Sequence, residues 1–319
     1  MIAYNHNGFA EQKSVFALQS ADKVNEVIAQ LPKATPLKLW TTAFDDKTCD
    51  NNSNASEVKN FKAIFVQNSA ESGIVNCPTQ RYEIVQHETA IRPIVEAMIQ
   101  AGVQDFEFNA QHTLSWANLN IFVTPKGFDG VKLGFQIGNS FDSSSAVTYG
   151  VEVAQRNAYV VLQGYRQICS NGMKIKVPLM EAEIVKEEIR EKLTLIFKER
   201  TRVLHTKSAE SKIEAIKYVV EAVSLLQKPV ENMIKKAQKW TIVDSTHFKE
   251  LIKLHVGRRY AQKVINQYNK DSADESLWNL FNAMTFVSSH DPTLSVTARD
   301  TLLDKASDML TAELFPKTK

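Results

Sequence analysis

The chain has 319 residues, of which 44% are hydrophobic and 23% charged, and its formal net charge is +2. This length allows one large domain or two ordinary ones, with a core that needs neither disulfides nor metals. The near balance of charge excludes the strongly basic composition typical of nucleic-acid binders. Since the chain has no basic-then-apolar leader and no apolar run of about eighteen residues, we expect a soluble, cytoplasmic protein with no membrane contact.

Three widely spaced cysteines, Cys49, Cys77 and Cys169, form no CxxC pair and have no clustered histidines beside them. Their odd number and spacing indicate free thiols in a reducing compartment rather than disulfides or a zinc site. Cys169 follows the apolar Ile168, so we interpret it as a buried packing residue in preference to a reactive nucleophile.

The first eighty residues are weakly patterned. A helix is predicted at Ala21–Gln30, and the polar stretch Asp45–Glu57 is expected to be a mobile loop because it can bury almost nothing. Phe61–Val66 and the segment around Arg81–Val85 are predicted to be strands. Apolar residues at helical spacing then predict an amphipathic helix at His87–Gly102.

From residue 105 to residue 169 the hydrophobic period changes from 3.6 to 2. Five short runs separated by turn-rich segments predict an antiparallel meander, and the helix before it makes this an α+β unit. The expected division is an N-terminal arm or subdomain (1–58), an α+β core (59–178) and a helical C-terminal region (179–319).

The C-terminal part reads as helical from Glu181 almost to its end. Pro229 is expected near the start of one helix, and Thr241–Asp244 is expected to be a break. Ser245 is predicted to cap a helix at His247–Tyr268, and Pro292 to separate the last two helices.

Three segments carry a family resemblance: VKLGFQIGNSFDSSSAV (Val131–Val147), YRQICSNGM (Tyr165–Met173) and SLWNLFNAMTFVSSH (Ser276–His290). With the preceding YEIVQHETAIRPIV, they resemble, in order, the motifs of the phage and plasmid family called domain of unknown function 932. The resemblance covers about residues 60–290. Its motif residues here are Asn139, Asp142, Cys169, Asn171, Gly172, Trp278 and Asn282.

Most of these motif residues have a structural interpretation. Asn139 and Asp142 suit a tight hairpin, although ligand contact is the alternative. Asn171-Gly172 readily adopts positive φ and is predicted to turn the chain into the basic helix. Trp278 is expected in the core, with a stacking surface as the alternative.

Arg166 lies in a predicted strand among apolar neighbours, where an unpaired guanidinium would be costly. Two explanations remain open: it pairs with a carboxylate such as Asp142, or it faces an exposed groove that a phosphate can reach.

Catalytic signatures are not found in the sequence. No GxxxxGK[ST], HExxH, GxSxG or GxGxxG pattern occurs, and the histidines lack metal-ligand spacing. Asp105, Glu107, Asp142 and Glu152 are the carboxylates a two-metal nuclease would need, but exposed strands commonly carry as many. We predict a non-enzymatic protein without metal or cofactor.

The basic residues are concentrated in residues 186–263, which hold 18 Lys and Arg against 10 Asp and Glu. A meander followed by a basic helical stretch resembles the core of single-strand annealing recombinases, which hold DNA in a positively charged groove on an oligomeric ring. The leading hypothesis is therefore binding of single-stranded nucleic acid, DNA in preference to RNA, by a homo-oligomer that serves recombination or replication of a mobile element. The alternative is a structural or assembly protein of a virus or plasmid, with the lysines forming a solvated helix face.

The expected nucleic-acid contacts combine cations for phosphates with aromatic rings for base stacking. They are Arg166, Lys174, Lys176, Lys186, Arg190, Lys253, Arg258, Arg259 and Lys263, with Tyr149 and Tyr165 as the rings.

Overall fold

The order of elements along the chain is that of an α+β protein, as the sequence predicted. The computed structural model describes residues 15–18, 21–41, 56–68, 71–100, 106–123, 128–143, 148–150, 152–154, 159–166, 171–204, 209–271 and 275–316. Antiparallel pairing dominates the first part of the chain and helices dominate the part after residue 186.

The described strands have between 3 and 12 residues, and the last of them ends at Pro178, before the long run of helices. They are β1 (Val15–Leu18), β2 (Lys33–Thr41), β3 (Ser56–Gln67), β4 (Ser72–Asn76), β5 (Glu107–His112), β6 (Trp116–Phe122), β7 (Val131–Ser140), β8 (Thr148–Gly150), β9 (Glu152–Ala154), β10 (Tyr159–Arg166) and β11 (Asn171–Pro178). The helices are α1 (Ala21–Gln30), α2 (His87–Gln100), α3 (Glu187–Leu204), α4 (Ala209–Lys239), α5 (Ser245–Leu251), α6 (Arg258–Asp271), α7 (Leu277–His290) and α8 (Val296–Leu314). A 3₁₀ turn at Phe128–Gly130 precedes β7, and a π-helix at Ile252–Val256 joins α5 to α6.

The strands form two sheets. The larger has the order β1-β5-β6-β7-β10-β11, with β8 paired to β7 and β9 paired to β10. The smaller has the order β2-β3-β4. Because β5, β6 and β7 are neighbours in both sequence and sheet, this part of the predicted meander is confirmed. The fourth predicted run is instead divided between β8 and β9, and β7 pairs directly with β10.

The chain folds into two compact units, each drawing on several stretches of sequence. The first contains Met1–Glu96, Phe108–Leu119 and Ile137–Tyr149, and the second contains Ala97–Glu107, Asn120–Gln136 and Gly150–Lys319. In the first unit Ala34, Ile64, Val66 and Phe141 form a buried cluster. In the second, α4 buries an apolar stripe at helical spacing, and β11 lies against α7 and α8.

Several predicted elements match the structure closely. The helix at Ala21–Gln30 has the predicted bounds, and α2 begins at His87 as expected. The break at Thr241–Asp244 and the separation of the last two helices around Pro292 are also confirmed. Residues 42–55, which include most of the predicted mobile loop, lie outside the described part of the chain.

The prediction of a strand around Arg81–Val85 is wrong. The strand that follows β3 and pairs with it is β4, and hydrogen bonds between Asn68 and Glu71 close the connection to β4. The segment at Arg81–Val85 is held instead by side chains such as that of Lys62, whose Nζ donates to the Tyr82 carbonyl at 2.6 Å. Apolar alternation alone does not distinguish an extended segment fixed by side chains from a paired strand.

Three predictions about the second half of the chain also need correction. Asn171 and Gly172 begin a further strand, β11, rather than turning the chain into a basic helix. Pro229 lies deep inside α4, not near a helix start. The cap of α5 is Asp244, whose carboxylate accepts from the backbone N–H of Thr246 and of His247, each at 2.8 Å.

Gly134 of β7 provides a test of strand spacing in the second unit. A Cβ at this position would lie 1.7 Å from the carbonyl oxygen of Ile121 in β6, and backbone cannot move aside as a side chain can. We expect Gly134→Ala to lower the free energy of unfolding by about 3 kcal/mol, measured by urea denaturation. Gly172→Ala is the matched control: its Cβ would meet only the Ser289 hydroxyl at 3.9 Å, so little change is expected. Equal stability losses in the two variants would contradict this account.

Candidate functional site

Asp129 connects two of the motifs in the second unit. Its Oδ2 accepts hydrogen bonds from Arg166 Nη2 and from Trp278 Nε1, each at 2.9 Å. The residue has a φ of 54°, in the left-handed region, which Asp tolerates better than most residues. Arg166 therefore has a carboxylate partner, and the Arg166 and Asp129 side chains are only 16% and 24% exposed.

The start of β11 is joined to α7 by polar contacts. Asn171 Nδ2 donates to Thr285 Oγ1 at 2.6 Å, and the Gly172 N–H donates to Ser289 Oγ at 3.0 Å. Ser289 Oγ in turn donates to the Gly172 carbonyl at 3.3 Å. The second and third motifs are therefore direct partners, which the sequence did not indicate.

One face of α7 carries the polar groups that make these contacts. Trp278, Asn282, Thr285 and Ser289, here called the α7 polar stripe, are spaced by four, three and four residues, so they share one side of the helix. Asn282 is buried in the middle of the stripe, and neither its Nδ2 nor its Oδ1 has a hydrogen-bond partner among the residues that the structure describes. The Oδ1 of Asn171, also buried, has none either.

The first motif lies in the first unit. Asn139 is buried there, and its Nδ2 donates to the Val85 carbonyl at 2.7 Å and meets His87 Nδ1 at 3.0 Å. The His87 ring stacks on Phe141 with centroids 4.0 Å apart. Asp142 follows and is half-buried, whereas Cys169 of the second motif lies outside the described residues.

The bond from Asn139 fixes the tautomer of His87. Because Nδ1 accepts, the neutral ring carries its proton on Nε2, which is buried and has no partner in the described part of the chain. Burial, assisted by the nearby His112, lowers the pKa of His87 from 6.5 to about 3. His87 therefore stays neutral and serves as a packed ring.

The two lysines of β11 are neutralised by aspartates of α8. Lys174 Nζ lies 2.7 Å from Asp300 Oδ1 and 2.8 Å from Asp304 Oδ1, and Lys176 Nζ lies 2.9 Å from Asp308 Oδ1. Burial alone would lower the pKa of Lys174, but the two carboxylates outweigh it and raise the pKa above its ordinary value. These lysines support the packing of α8 and offer little charge to a phosphate.

Other predicted contacts are spread over the second unit. Arg190 of α3 pairs with Glu187 at 2.8 Å, and Lys263 of α6 pairs with Asp291. Lys186 is exposed just before α3. Tyr165 is buried against Phe122, with ring centroids 5.5 Å apart, and this burial corrects the expectation that it offers a stacking surface. Tyr149 lies in β8, in the part of the chain grouped with the first unit.

Around the π-helix, cations stay exposed. Lys253, Arg258 and Arg259 are exposed, as is Lys249, which the sequence did not single out, and none of the four has an acidic partner among the described residues. We call these four residues the basic segment. The π-helix between these cations is tied to α8, because His255 bonds Glu313 at 2.6 Å and Lys305 Nζ donates to the Val256 carbonyl at 3.2 Å.

Sequence reasoning missed the residues that organise the site. Asp129, His87, Thr285 and Ser289 were not predicted, although each is a direct partner of a motif residue. The spacing of Thr285 and Ser289 from Trp278 gives a helical face and is the one signal that could have revealed them.

Neither a metal cluster nor a membrane span is found in the described part of the chain. No three His, Cys, Asp or Glu side chains there converge as a metal site requires. No helix there is both long and apolar enough to cross a bilayer. Comparison of the chain with family models, curated proteins and solved structures gave no match, so the resemblance to domain of unknown function 932 stays a prediction.

Removing the charge of Asp129 tests whether it anchors Arg166. Asp129→Asn keeps the shape of the side chain, and asparagine also tolerates the left-handed region. The change removes the carboxylate that pairs with the Arg166 guanidinium. We expect the free energy of unfolding to fall by about 2 kcal/mol in urea titrations. Glu199→Gln, which breaks the exposed Arg202–Glu199 pair, is the control and should leave stability nearly unchanged. If Asp129→Asn is also neutral, the carboxylate does not anchor the cluster.

His87 predicts acid sensitivity. The unfolded chain binds a proton at this residue below about pH 6.5, whereas the folded chain resists protonation until about pH 3. Stability should therefore be lost as pH falls through this window, by up to about 1.4 kcal/mol per pH unit from this residue. Urea titrations at pH 7 and pH 4.5 should show a smaller pH dependence in His87→Phe than in the original chain. Equal pH dependence in both would contradict the prediction.

Proposed function

We propose that the protein binds single-stranded nucleic acid without catalysis, with DNA favoured, and that it acts as a strand-annealing protein of a mobile element. The observation that carries the proposal is the basic segment, where Lys249, Lys253, Arg258 and Arg259 are exposed with no acidic partner among the described residues. Elsewhere in the predicted set, Arg166, Lys174, Lys176, Arg190 and Lys263 are each engaged by carboxylates.

The position of the two arginines supports phosphate as the ligand. Arg258 and Arg259 occupy the first turn of α6, the end of a helix at which the backbone N–H groups create a positive potential. Cations at that end repel the helix dipole, and a bound anion would relieve this repulsion. Arginine also presents a planar fork of donors that matches phosphate oxygens.

The local backbone adds a second argument. Gly257 has a φ of 78° and ends the π-helix, where its N–H donates to the Ile252 carbonyl at 3.1 Å. π-helical turns are rare and often occur at functional sites. Lys253 is exposed within this turn, five residues before the first arginine of α6.

Assembly through a protein partner is the second candidate, and one observation favours it. Leu37 and Ile74 lie opposite Ala63 and Phe65 of β3, so with Phe61 they share one face of the smaller sheet. Leu37, Phe61 and Ile74 are each more than 40% exposed, at 41%, 44% and 48%. An apolar face of this kind is typical of interaction surfaces.

A binding experiment separates the two candidates. Fluorescence polarisation of a labelled single strand of about thirty nucleotides, against its duplex, should show tighter binding of the single strand that weakens steeply with salt. In Arg258→Glu/Arg259→Glu we expect at least tenfold weaker binding, and a log–log salt slope smaller by about two because two phosphate contacts are lost.

The matched control makes the same change of net charge elsewhere. Lys33→Glu/Lys59→Glu alters two exposed lysines of β2 and β3 and should bind almost as the unaltered chain does. Equal losses in both double variants would show that binding depends on net charge alone. If neither the single strand nor the duplex binds at low salt, the nucleic-acid proposal is rejected and assembly through a protein partner is favoured.

A further inference from the structure

We infer that the rings of Trp240 and His247, beside the basic segment, form a platform on which unpaired bases of a bound strand stack. The inference rests on the proposed function and deepens it, because the basic segment holds phosphates and the ring pair distinguishes a single strand from a duplex. In a duplex the bases are stacked on one another and do not reach a protein surface of this kind. All of these residues belong to the second unit.

The two rings are in direct contact, and both residues remain partly accessible to solvent. The centroids of Trp240 and His247 are 5.2 Å apart, and the ring planes meet at 47°. This separation is that of a packed aromatic pair, so no base fits between the rings. Both residues are half-buried, which leaves part of each one open to a ligand. A base therefore has access to the outer side of the pair.

Hydrogen bonds fix the position of the ring pair before any ligand binds. The Trp240 carbonyl accepts from the Leu277 N–H at 2.9 Å, which joins the end of α4 to the start of α7. The Val243 N–H donates to His247 Nδ1 at 3.3 Å and so orients the imidazole. Asp244 caps α5, the helix that carries His247. Binding groups held in this way keep their geometry when a ligand arrives.

Exposed apolar side chains flank α5 along the chain. Val243 precedes the helix and Leu254 follows it, and they are 77% and 72% exposed. No other large apolar side chain in the described ranges is as exposed as these two. Isolated exposed apolar residues are common, but these flank a helix that also carries His247 and Lys249. Aromatic rings and cations are the groups with which proteins hold single strands without reading their sequence.

Charge favours a nucleic-acid strand over an apolar protein segment as the ligand. Lys249 of the basic segment lies on α5 itself, two residues after His247. Because α5 has only 7 residues and is about 10 Å long, a strand of a few nucleotides can contact both the cations and the rings. The acidic residues here are Asp244, whose carboxylate is engaged as the cap, and Glu250, which is exposed. The four cations of the basic segment outnumber Glu250, so an anionic ligand with planar apolar groups fits this surface.

Two strands that differ only in their bases test the inference. Fluorescence polarisation compares a labelled strand of about thirty thymidines with an abasic strand of equal length, which keeps the phosphates and lacks the bases. We expect the unaltered chain to bind the thymidine strand about tenfold more tightly, because a base stacked on an aromatic ring contributes about this much. In Trp240→Ala the thymidine strand should bind no more tightly than the abasic strand. Trp240→Phe keeps an aromatic ring and should retain most of the preference.

Tryptophan emission gives a second readout, which a purely structural role of Trp240 does not change. The thymidine strand should quench the emission of the unaltered chain, and most of this quenching should be absent in Trp240→Phe although that variant still binds. Trp40→Ala is the matched control, because it removes an exposed tryptophan of the first unit and should leave the preference for bases unchanged. The inference is overturned if both strands bind the unaltered chain equally, if Trp240→Ala keeps the preference, or if the quenching persists in Trp240→Phe.

The outcomes for the two proposals are distinguishable. Arg258→Glu/Arg259→Glu should weaken the binding of both strands by the same factor, because it removes phosphate contacts that the strands share. Binding of both strands with no preference for bases would reject only the inference. If neither strand binds at low salt, the proposed function is rejected and the inference with it.

Discussion

The burial of α7 is the constraint on which much of the second unit depends. Ten of its residues are buried, so each polar atom along it must find a partner within the protein or lose free energy. Trp278 hydrogen-bonds to Asp129, and Thr285 and Ser289 hydrogen-bond to Asn171 and Gly172 at the start of β11. Asn282 is the exception on the stripe, because its side-chain amide has no hydrogen-bond partner within the described ranges.

Charge compensation decides which cations remain for a partner. On α8, Asp300, Asp304 and Asp308 follow one another at intervals of four residues, so their carboxylates form a row along one face. That row neutralises Lys174 and Lys176 of the sheet. Lys174 and Lys176 are therefore not available to a partner, whereas the cations of the basic segment stay exposed, as do Lys186, Lys192 and Lys198 around α3. A count of charges along the sequence cannot reveal this, since it ignores pairs formed between distant residues.

The sequence predicted elements well where a local rule applies. The amphipathic period predicted α1 and α2, and turn-rich connections predicted the meander of the larger sheet. It failed where a local signal had more than one structural outcome. Asn171-Gly172 permits a turn, but in the structure Asn171 pairs with Arg166 and so begins the second strand of the β10–β11 hairpin. Proline favours the first turn of a helix, yet Pro229 lies well inside α4, which continues through it.

By itself the sequence determined the α+β class and the positions of many of the helices and strands. These depend on hydrophobic period and turn residues, which act over a few neighbouring positions. Only the tertiary structure decided that Arg166 and Trp278 share the carboxylate of Asp129, and that Lys174 is neutralised while Arg258 remains exposed. The physical reason is that electrostatic and hydrogen-bond partners are set by distance in space, and here most of them are separated by a hundred residues or more along the chain.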